Sequence, residues 1–106
     1  MITYEDFRKI ELKIGTIKEV RAHPQADRLY IVMVDVGGVT KQLVAGIRLF
    51  YPEEALKDRQ VIVVDNLEPA VIRGVESQGM LLAATDEKGI CVLSPDRRVQ
   101  DGSIVK

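Results

Sequence analysis

The sequence predicts an all-β fold with short helices, in the form of a small antiparallel barrel. Short apolar runs recur at close spacing, and one glycine pair and Asp-Asn and Asp-Gly steps separate them. One run, residues 28–36, is apolar on both faces of a predicted strand. Only two brief stretches carry helix signals. A strand that is buried on both faces favours a closed barrel or a covered sheet.

The N-terminal residues predict a short helix and then a strand. Thr3 can cap the helix through its hydroxyl and Asp6 places an acid in the first turn, so we expect the helix to run through Lys9. Residues 12–19 alternate imperfectly between apolar and polar, which indicates a strand, and Gly15 is expected to mark a bulge or a tight bend in it. Residues 23–27 are expected to form a loop.

The next two predicted strands form a hairpin. Residues 28–36 are followed by Gly37 and Gly38, a pair that suits a two-residue hairpin turn, and the chain returns over residues 39–46.

The second half of the chain is expected to add one helix and four short strands. Pro52 and the acids Glu53 and Glu54 favour a helix over residues 51–56. The strands are expected at residues 61–64, 80–84, 90–93 and 103–105. This pattern predicts an OB-fold, a small antiparallel Greek-key barrel, with a sandwich of the same strands as the alternative. No repeat or linker interrupts the sequence, so residues 1–106 are expected to form one domain.

Composition limits the partners that the protein can have. Fifteen basic and sixteen acidic residues give a formal charge of -1, so nucleic-acid binding would depend on a local cationic patch. The apolar runs are far shorter than the ~20 residues of a membrane span, and the polar N-terminus is unlike a signal peptide, so we expect a cytoplasmic protein without a membrane partner. Cys91 is the one cysteine, which excludes an internal disulfide, and it is expected to be a buried strand residue.

The sequence offers little for catalysis. His23 is the one histidine and lies in a His-Pro turn, where partial exposure to water is expected. The carboxylates are scattered and no Gly-rich nucleotide loop occurs, so we expect no enzyme activity, no metal site and no cofactor.

A turn-rich polar segment, residues 66–82, has the side chains of a binding loop. Asn66 has an amide donor and acceptor, Arg73 a planar fork for phosphate or a base edge, Ser77 a hydroxyl and Met80 a polarizable surface for a base. We expect the Arg73, Ser77 and Met80 side chains to share one exposed surface. The alternative is structural: Asn66 and Ser77 bond to the backbone of their own loop, Arg73 is a solvated charge and Met80 is part of the core.

Several fragments of the chain, in order, carry a resemblance to one family. They are Phe7-Arg8-Lys9-Ile10-Glu11-Leu12-Lys13-Ile14-Gly15, His23-Pro24-Gln25-Ala26-Asp27-Arg28-Leu29-Tyr30, Val44-Ala45-Gly46-Ile47, Asn66-Leu67-Glu68-Pro69, Arg73-Gly74-Val75-Glu76-Ser77-Gln78-Gly79-Met80-Leu81-Leu82-Ala83-Ala84 and Leu93-Ser94-Pro95. Together they resemble the tRNA-binding domain of stand-alone tRNA-binding proteins, of methionyl-tRNA synthetases and of endothelial-monocyte-activating-polypeptide-like domains.

The resemblance implies an OB-fold that clasps the outer corner of tRNA, and homodimers joined largely through C-terminal segments. It implies tRNA-binding roles for a set of residues in this chain, with Lys41 and Gln78 as the weaker candidates: Arg28, Lys41, Asn66, Arg73, Ser77, Gln78 and Met80. The chain departs from the family where Glu68, Ala70 and Val71 replace common basic residues and where Ala45 replaces a common serine. Fewer basic residues predict fewer phosphate contacts and weaker binding.

Three functions remain as hypotheses. The first is a non-catalytic tRNA-binding protein, either free-standing or acting in trans as a subunit of an aminoacyl-tRNA synthetase, of the methionyl-tRNA synthetase beta type. The second is a chaperone-like, peptide-binding dimer similar to export-related proteins that share the barrel. The third is a module that docks on a synthetase through an exposed apolar face, to which Val71 and Ile72 would contribute.

Overall fold

Ten strands and two short helices make up the computed structural model, which describes residues 1–106. The helices are α1 (Tyr4–Arg8) and α2 (Glu53–Leu56). The strands are β1 (Leu12–Ala22), β2 (Tyr30–Asp35), β3 (Thr40–Ala45), β4 (Gln60–Val64), β5 (Ala70–Ile72), β6 (Val75–Ser77), β7 (Met80–Leu81), β8 (Ala83–Asp86), β9 (Gly89–Val92) and β10 (Ile104–Val105). Neither helix has the length and apolar character needed to cross a membrane.

One antiparallel sheet carries most of the fold. Its strands lie in the order β3, β2, β1, β4, β7, and β10 pairs with the start of β1. The two ends of the sheet meet, because the Gln78 amide donates to the Gln42 carbonyl at 2.7 Å and the Val44 amide donates to the Ser77 hydroxyl at 3.0 Å. The predicted OB-type barrel is therefore confirmed, and the sandwich alternative is wrong.

The barrel interior is filled by aliphatic side chains from every long strand. Ile17, Val32, Leu43 and Val61 are each 0% exposed and belong to one cluster of thirteen buried residues. Strand β2 is buried over three consecutive residues, Tyr30 to Val32, so the prediction of burial on both faces is confirmed.

Local signals placed several elements correctly. The Thr3 hydroxyl accepts from the Asp6 amide at 3.1 Å, and the Asp6 carboxylate accepts from the Thr3 amide at 3.2 Å, which is a capping box. Gly37 and Gly38 have φ of +99° and +89° and join β2 to β3 as the predicted two-residue hairpin.

The interpretation of Gly15 is wrong. Gly15 pairs in register with Val61, and the shift in the β1 to β2 pairing falls between Ile17 and Glu19. Gly15 instead allows β2 to pass close by, because a Cβ at this position would lie 2.6 Å from Val34 Cγ1 and 2.9 Å from the Asp35 carbonyl oxygen.

Three further predictions about the second half are corrected. Residues 66–82 include a regular hairpin, β5 to β6, rather than a loop alone. The strand expected over residues 80–84 is divided into β7 and β8 at Leu82. Cys91 is exposed, because the alternation of β9 turns Val92 toward the core and its neighbour Cys91 toward solvent.

Candidate nucleic-acid interface

The β5 to β6 hairpin presents Arg73 at its tip. Arg73 and Gly74 have φ of +52° and +88°, and positive φ at both central residues is what a type I′ hairpin turn needs. The Arg73 side chain is exposed and its Nη2 donates to the Gln25 carbonyl at 3.2 Å, so the guanidinium lies against the loop that follows β1.

His23 connects that loop to the hairpin through two hydrogen bonds. Its Nδ1 accepts from the Gln25 amide at 3.0 Å, so the ring proton belongs on Nε2, which donates to the Ile72 carbonyl at 3.1 Å. The side chain is only 3% exposed. The prediction of a partly exposed turn histidine is therefore wrong, because the ring bonds to Ile72, which is 49 positions away in the sequence, and no local pattern shows this contact.

Three arginines surround the same loop, and we call Arg28, Arg48 and Arg73 the arginine cluster. Arg28 is exposed near the end of the loop. Arg48 approaches from the segment after β3, where its amide donates to the Arg28 carbonyl at 3.4 Å and its Nη1 donates to the Ala26 carbonyl at 3.2 Å. None of the three takes part in an ion pair. Their charges are therefore available to an anionic ligand.

Arg48 was missed by the sequence reasoning. It directly follows the Val44-Ala45-Gly46-Ile47 fragment that carries part of the family resemblance. No local motif marks it, because its position depends on a contact with Ala26 across the fold.

Met80 lies in an apolar groove beside the arginine cluster. The groove has a volume of about 420 Å³ and runs between the end of β3 and strands β7 and β8, with Ile47 and Ile90 in its walls. Met80 is 47% exposed, so the alternative that it belongs to the core is wrong. Because Arg48 is the next residue after Ile47, the groove and the cluster adjoin.

Ser77 does not lie on this surface. It is 4% exposed, and its hydroxyl accepts from the Val44 amide and donates to the Gly79 carbonyl, both at 3.0 Å. The expectation that its hydroxyl is displayed beside Arg73 and Met80 is therefore wrong. The cause is barrel closure: on the edge of β3 that faces away from β2 no strand pairs with Val44, and the Ser77 side chain bonds to the Val44 amide instead.

Gln78 and Asn66 also bond within the protein. The Gln78 Oε1 accepts from the Gln42 amide at 2.8 Å, on the same edge of β3 as the bond between Ser77 and Val44. Asn66 clamps the N-terminal segment, since its Oδ1 accepts from the Glu11 amide at 2.9 Å and its Nδ2 donates to the Lys9 carbonyl at 2.7 Å. The structural alternative for Asn66 holds in substance, although its partners belong to the segment before β1 rather than to its own loop.

Lys41 belongs to a charged triad with Asp65 and Lys13. Its Nζ lies 2.7 Å from Asp65 Oδ1, and Lys13 Nζ lies 2.8 Å from Asp65 Oδ2. Burial raises the pKa of the Asp65 carboxyl, but the hydrogen bonds and charges of the two lysines outweigh it and hold that pKa below its ordinary value. The same hydrogen bond and charge of Asp65 raise the pKa of Lys13.

The seven predicted residues thus fall into two groups. Three are exposed around the loop, the hairpin tip and the groove: Arg28, Arg73 and Met80. Four have their polar groups bonded within the protein: Lys41, Asn66, Ser77 and Gln78.

Known proteins match this chain in sequence and in fold. Residues 12–104 match the family model described as "Putative tRNA binding domain". A methionine–tRNA ligase of Pyrococcus furiosus is 51% identical over 105 residues, 99% of this chain, and that of Nanoarchaeum equitans is 42% identical over 106 residues, 100% of this chain. The chain spans 14% of the length of both relatives.

Two solved structures share the whole fold. A crystal structure of a MetRS-related protein from Pyrococcus horikoshii has a TM-score of 0.93 at 32% identity, covering 100% of this chain and 98% of that one. The CsaA chaperone protein from Picrophilus torridus has a TM-score of 0.93 at 31% identity, covering 100% of both chains. With the match to the family model, the resemblance noted from the sequence fragments is confirmed: the chain belongs to the tRNA-binding domain family.

Proposed function

We propose that this chain is a non-catalytic module that binds tRNA by its folded shape, through the arginine cluster and the adjoining apolar groove. The observation that carries the proposal is the arginine cluster itself. Three guanidinium groups without carboxylate partners surround one loop, in a chain of formal charge -1 that belongs to the tRNA-binding domain family. A local patch of this kind is what a polyanion requires of a protein that lacks a net positive charge.

The chemistry of the surface suits folded RNA. Guanidinium groups bind phosphate oxygens in a bidentate manner, and such contacts fix orientation without reading sequence. The groove beside them offers the Met80 thioether and aliphatic walls to the face of an unstacked base. We therefore assign direct RNA contacts to Arg28, Arg73 and Met80, and add Arg48 to them.

The four bonded residues support binding indirectly in this proposal. Ser77 and Gln78 hold β3 to the segment that ends at Met80. Asn66 and Lys41 hold the segment that leads into the hairpin. Their replacement is expected to lower tRNA affinity by displacing the hairpin and the groove, rather than by removing an RNA contact.

We further propose that the module increases the hold of a synthetase on its tRNA. The relatives that match over the length of this chain are methionine–tRNA ligases, of which it spans 14%. A chain of this kind would act as a free-standing protein or in trans as a beta-type subunit of methionyl-tRNA synthetase, and in the cytoplasm, where tRNA is charged.

A homodimer is the proposed assembly. Ile104 in β10 is 71% exposed, and it lies with Tyr4 and Ile10 around a groove of about 420 Å³ in which apolar and charged side chains mix. Burying this surface against a second copy would remove it from water. Light scattering is expected to show a dimer for the natural chain and a monomer for Ile104→Lys, whereas a monomeric natural chain would contradict the assembly.

The tRNA proposal is tested by titrating unlabelled tRNA at two salt concentrations. We expect affinity to fall as salt rises, because each phosphate contact releases counterions. Arg73→Ala is expected to weaken binding about tenfold and to make the salt slope shallower by about 1, since a charge-assisted contact is lost. Arg73→Lys keeps the charge but loses the planar guanidinium. Its tRNA affinity should lie between that of the natural chain and that of Arg73→Ala.

The matched control is Lys57→Ala. Lys57 is exposed, but it lines a cleft with Glu53 and Glu54, where phosphate is not attracted. The tRNA affinity of the Lys57→Ala variant should equal that of the natural chain. Equal affinity of Arg73→Ala and the natural chain, or no tRNA binding at all, would contradict the proposed function.

A peptide-binding, chaperone-like function is the second candidate. It is favoured by the full-length likeness to the CsaA chaperone protein and by the apolar groove at Met80. Unfolded peptide that binds with little dependence on salt, in the absence of a tRNA response, would support it over the first.

A further inference from the structure

A second cleft, remote from the arginine cluster in sequence, is also lined by arginines. It has a volume of about 300 Å³ and lies where the segment between β9 and β10 meets the start of β4. Arg59, Arg97 and Arg98 line it, together with Ser94 and Asp96. Three cations therefore face one acid.

Arg59 is held in place by its neighbours. Its Nε donates to the Ser94 hydroxyl at 3.0 Å, and its guanidinium carbon lies 5.5 Å from the centroid of the Tyr51 ring. Neither contact uses the two terminal nitrogens, which leaves both of them free to donate to a ligand.

The other two arginines also bond within the protein, Arg98 to a carbonyl and a hydroxyl and Arg97 to one carbonyl. The Arg98 Nη1 donates to the Asp58 carbonyl at 3.0 Å and its Nη2 to the Thr16 hydroxyl at 3.4 Å. The Arg97 Nη1 donates to the Arg98 carbonyl at 3.1 Å. Arg98, which is held by two bonds, loses little side-chain entropy when a ligand binds.

None of these guanidinium groups is neutralised within the protein. All four ion pairs of the chain involve other residues, and Asp96 pairs with none of the three although it lines the same cleft. A planar guanidinium with free N–H groups matches the oxygens of a phosphate group.

We propose that Arg59, Arg97 and Arg98 form a second phosphate site, which takes a phosphate group of the RNA backbone. The inference rests on the proposed tRNA function and extends its footprint. Arg48 of the arginine cluster and Tyr51, against which Arg59 packs, are three residues apart, so their Cα atoms are at most about 11 Å from each other. One folded RNA is large enough to contact both sites.

The test uses Arg97→Ala in the tRNA titration. The exposed Arg97 side chain makes a single hydrogen bond, to the Arg98 carbonyl, so we expect its removal to leave the fold intact. We expect affinity to fall about tenfold and the salt slope to become shallower by about 1. Arg97→Lys should recover part of the affinity, and Arg73→Ala combined with Arg97→Ala should show the product of the two single losses, because the sites are separate. Lys57→Ala is again the control.

A second measurement separates this proposal from the tRNA function. Inorganic phosphate is added at low ionic strength, and the Nε–H signals of the arginines are followed by NMR. We expect the Arg59 signal to shift, while that of Arg8, which is paired with Glu5, stays in place.

The outcomes distinguish the two proposals. If the natural chain binds tRNA and Arg97→Ala binds it equally well with the same salt slope, the second site on RNA is overturned and the tRNA function stands. If the natural chain binds no tRNA, both the tRNA function and the binding of RNA in the cleft are contradicted. A shift of Arg59 with inorganic phosphate would then assign the cleft to free phosphate, and the absence of a shift would remove it as a phosphate site altogether.

Discussion

The Ser77 hydroxyl accepts a hydrogen bond from the Val44 amide at 3.0 Å and so helps to close the barrel along the edge of β3 that faces away from β2. The same hydroxyl donates to the Gly79 carbonyl. Because Met80 comes directly afterwards, the bond that closes the barrel also determines where the apolar groove begins.

Ser77→Ala is therefore expected to destabilise the protein by roughly 1–3 kcal/mol, because it leaves the part-buried Val44 amide without an acceptor and the Gly79 carbonyl without a donor. Chemical denaturation gives the free energy of unfolding. Thr40→Ala is the control, since Thr40 is exposed on the same strand as Val44 and its hydroxyl has no partner, and it should change stability by less than about 0.5 kcal/mol. Equal stability of Ser77→Ala and the natural chain would show that closure of the barrel does not depend on this hydroxyl.

Gly15 and Gly46 provide a second, paired prediction. A Cβ at Gly15 would lie 2.6 Å from Val34 Cγ1, whereas at Gly46 the nearest atom, Leu29 Cδ2, is 3.8 Å away. Gly15→Ala should cost about 1–3 kcal/mol through overpacking, and Gly46→Ala should be close to neutral. Thermal unfolding of both variants checks the order, and a neutral Gly15→Ala would mean that β2 moves aside at no cost.

His23 gives a third prediction, which connects stability to RNA binding. His23→Phe keeps an aromatic ring, although a larger one, and loses both hydrogen bonds, to Gln25 and to Ile72, so we expect it to cost about 1–3 kcal/mol. Its tRNA affinity should fall as well, because the loop and the hairpin that carry Arg28 and Arg73 are no longer joined. The control, Gln25→Ala, keeps the backbone amide that bonds to His23 and should preserve both properties.

The sequence predicted those parts of the fold that depend on neighbours along the chain. The capping box at Thr3 and Asp6 and the turn at Gly37 and Gly38 each need residues only a few positions apart. The β5 to β6 hairpin was missed, because its turn begins with Arg73 at φ +52°, a conformation for which Asn or Gly is the usual signal.

The candidate site was predicted in part for the same reason. Arg73 and Met80 are exposed as expected, since a hairpin tip and a short edge strand leave side chains in solvent. Ser77 has one local partner, the Gly79 carbonyl, but its other partner and both partners of Asn66 lie 33 to 57 positions away, at Val44, Glu11 and Lys9. No local pattern reveals such contacts, and they decide that these side chains hold the fold together.

Asp65 gives the last prediction, which concerns pH. Its carboxylate is paired with Lys13 and Lys41 and is 13% exposed, and its pKa is lowered by folding, as described above. A carboxyl with a lowered pKa contributes stability above its unfolded pKa of about 3.9, and that contribution is lost as pH falls through the folded value. The raised pKa of Lys13 matters at alkaline pH. The stability that Lys13 contributes is present below its unfolded pKa of about 10.4 and is lost as the pH rises through its folded pKa.

Asp65→Asn should therefore be less stable than the natural chain at neutral pH by roughly 1–3 kcal/mol, because two partly buried lysines lose their partner. The difference should begin to shrink below about pH 4, where the unfolded carboxyl takes up a proton, and should go on shrinking until the pH has fallen through the lower pKa of the folded carboxyl. The free energy of unfolding measured from pH 3 to pH 8 checks both statements, with the exposed Asp27→Asn as the control. A difference that stays constant down to pH 3 would show that the amide costs stability by its shape or packing and that the ion pairs of Asp65 contribute nothing.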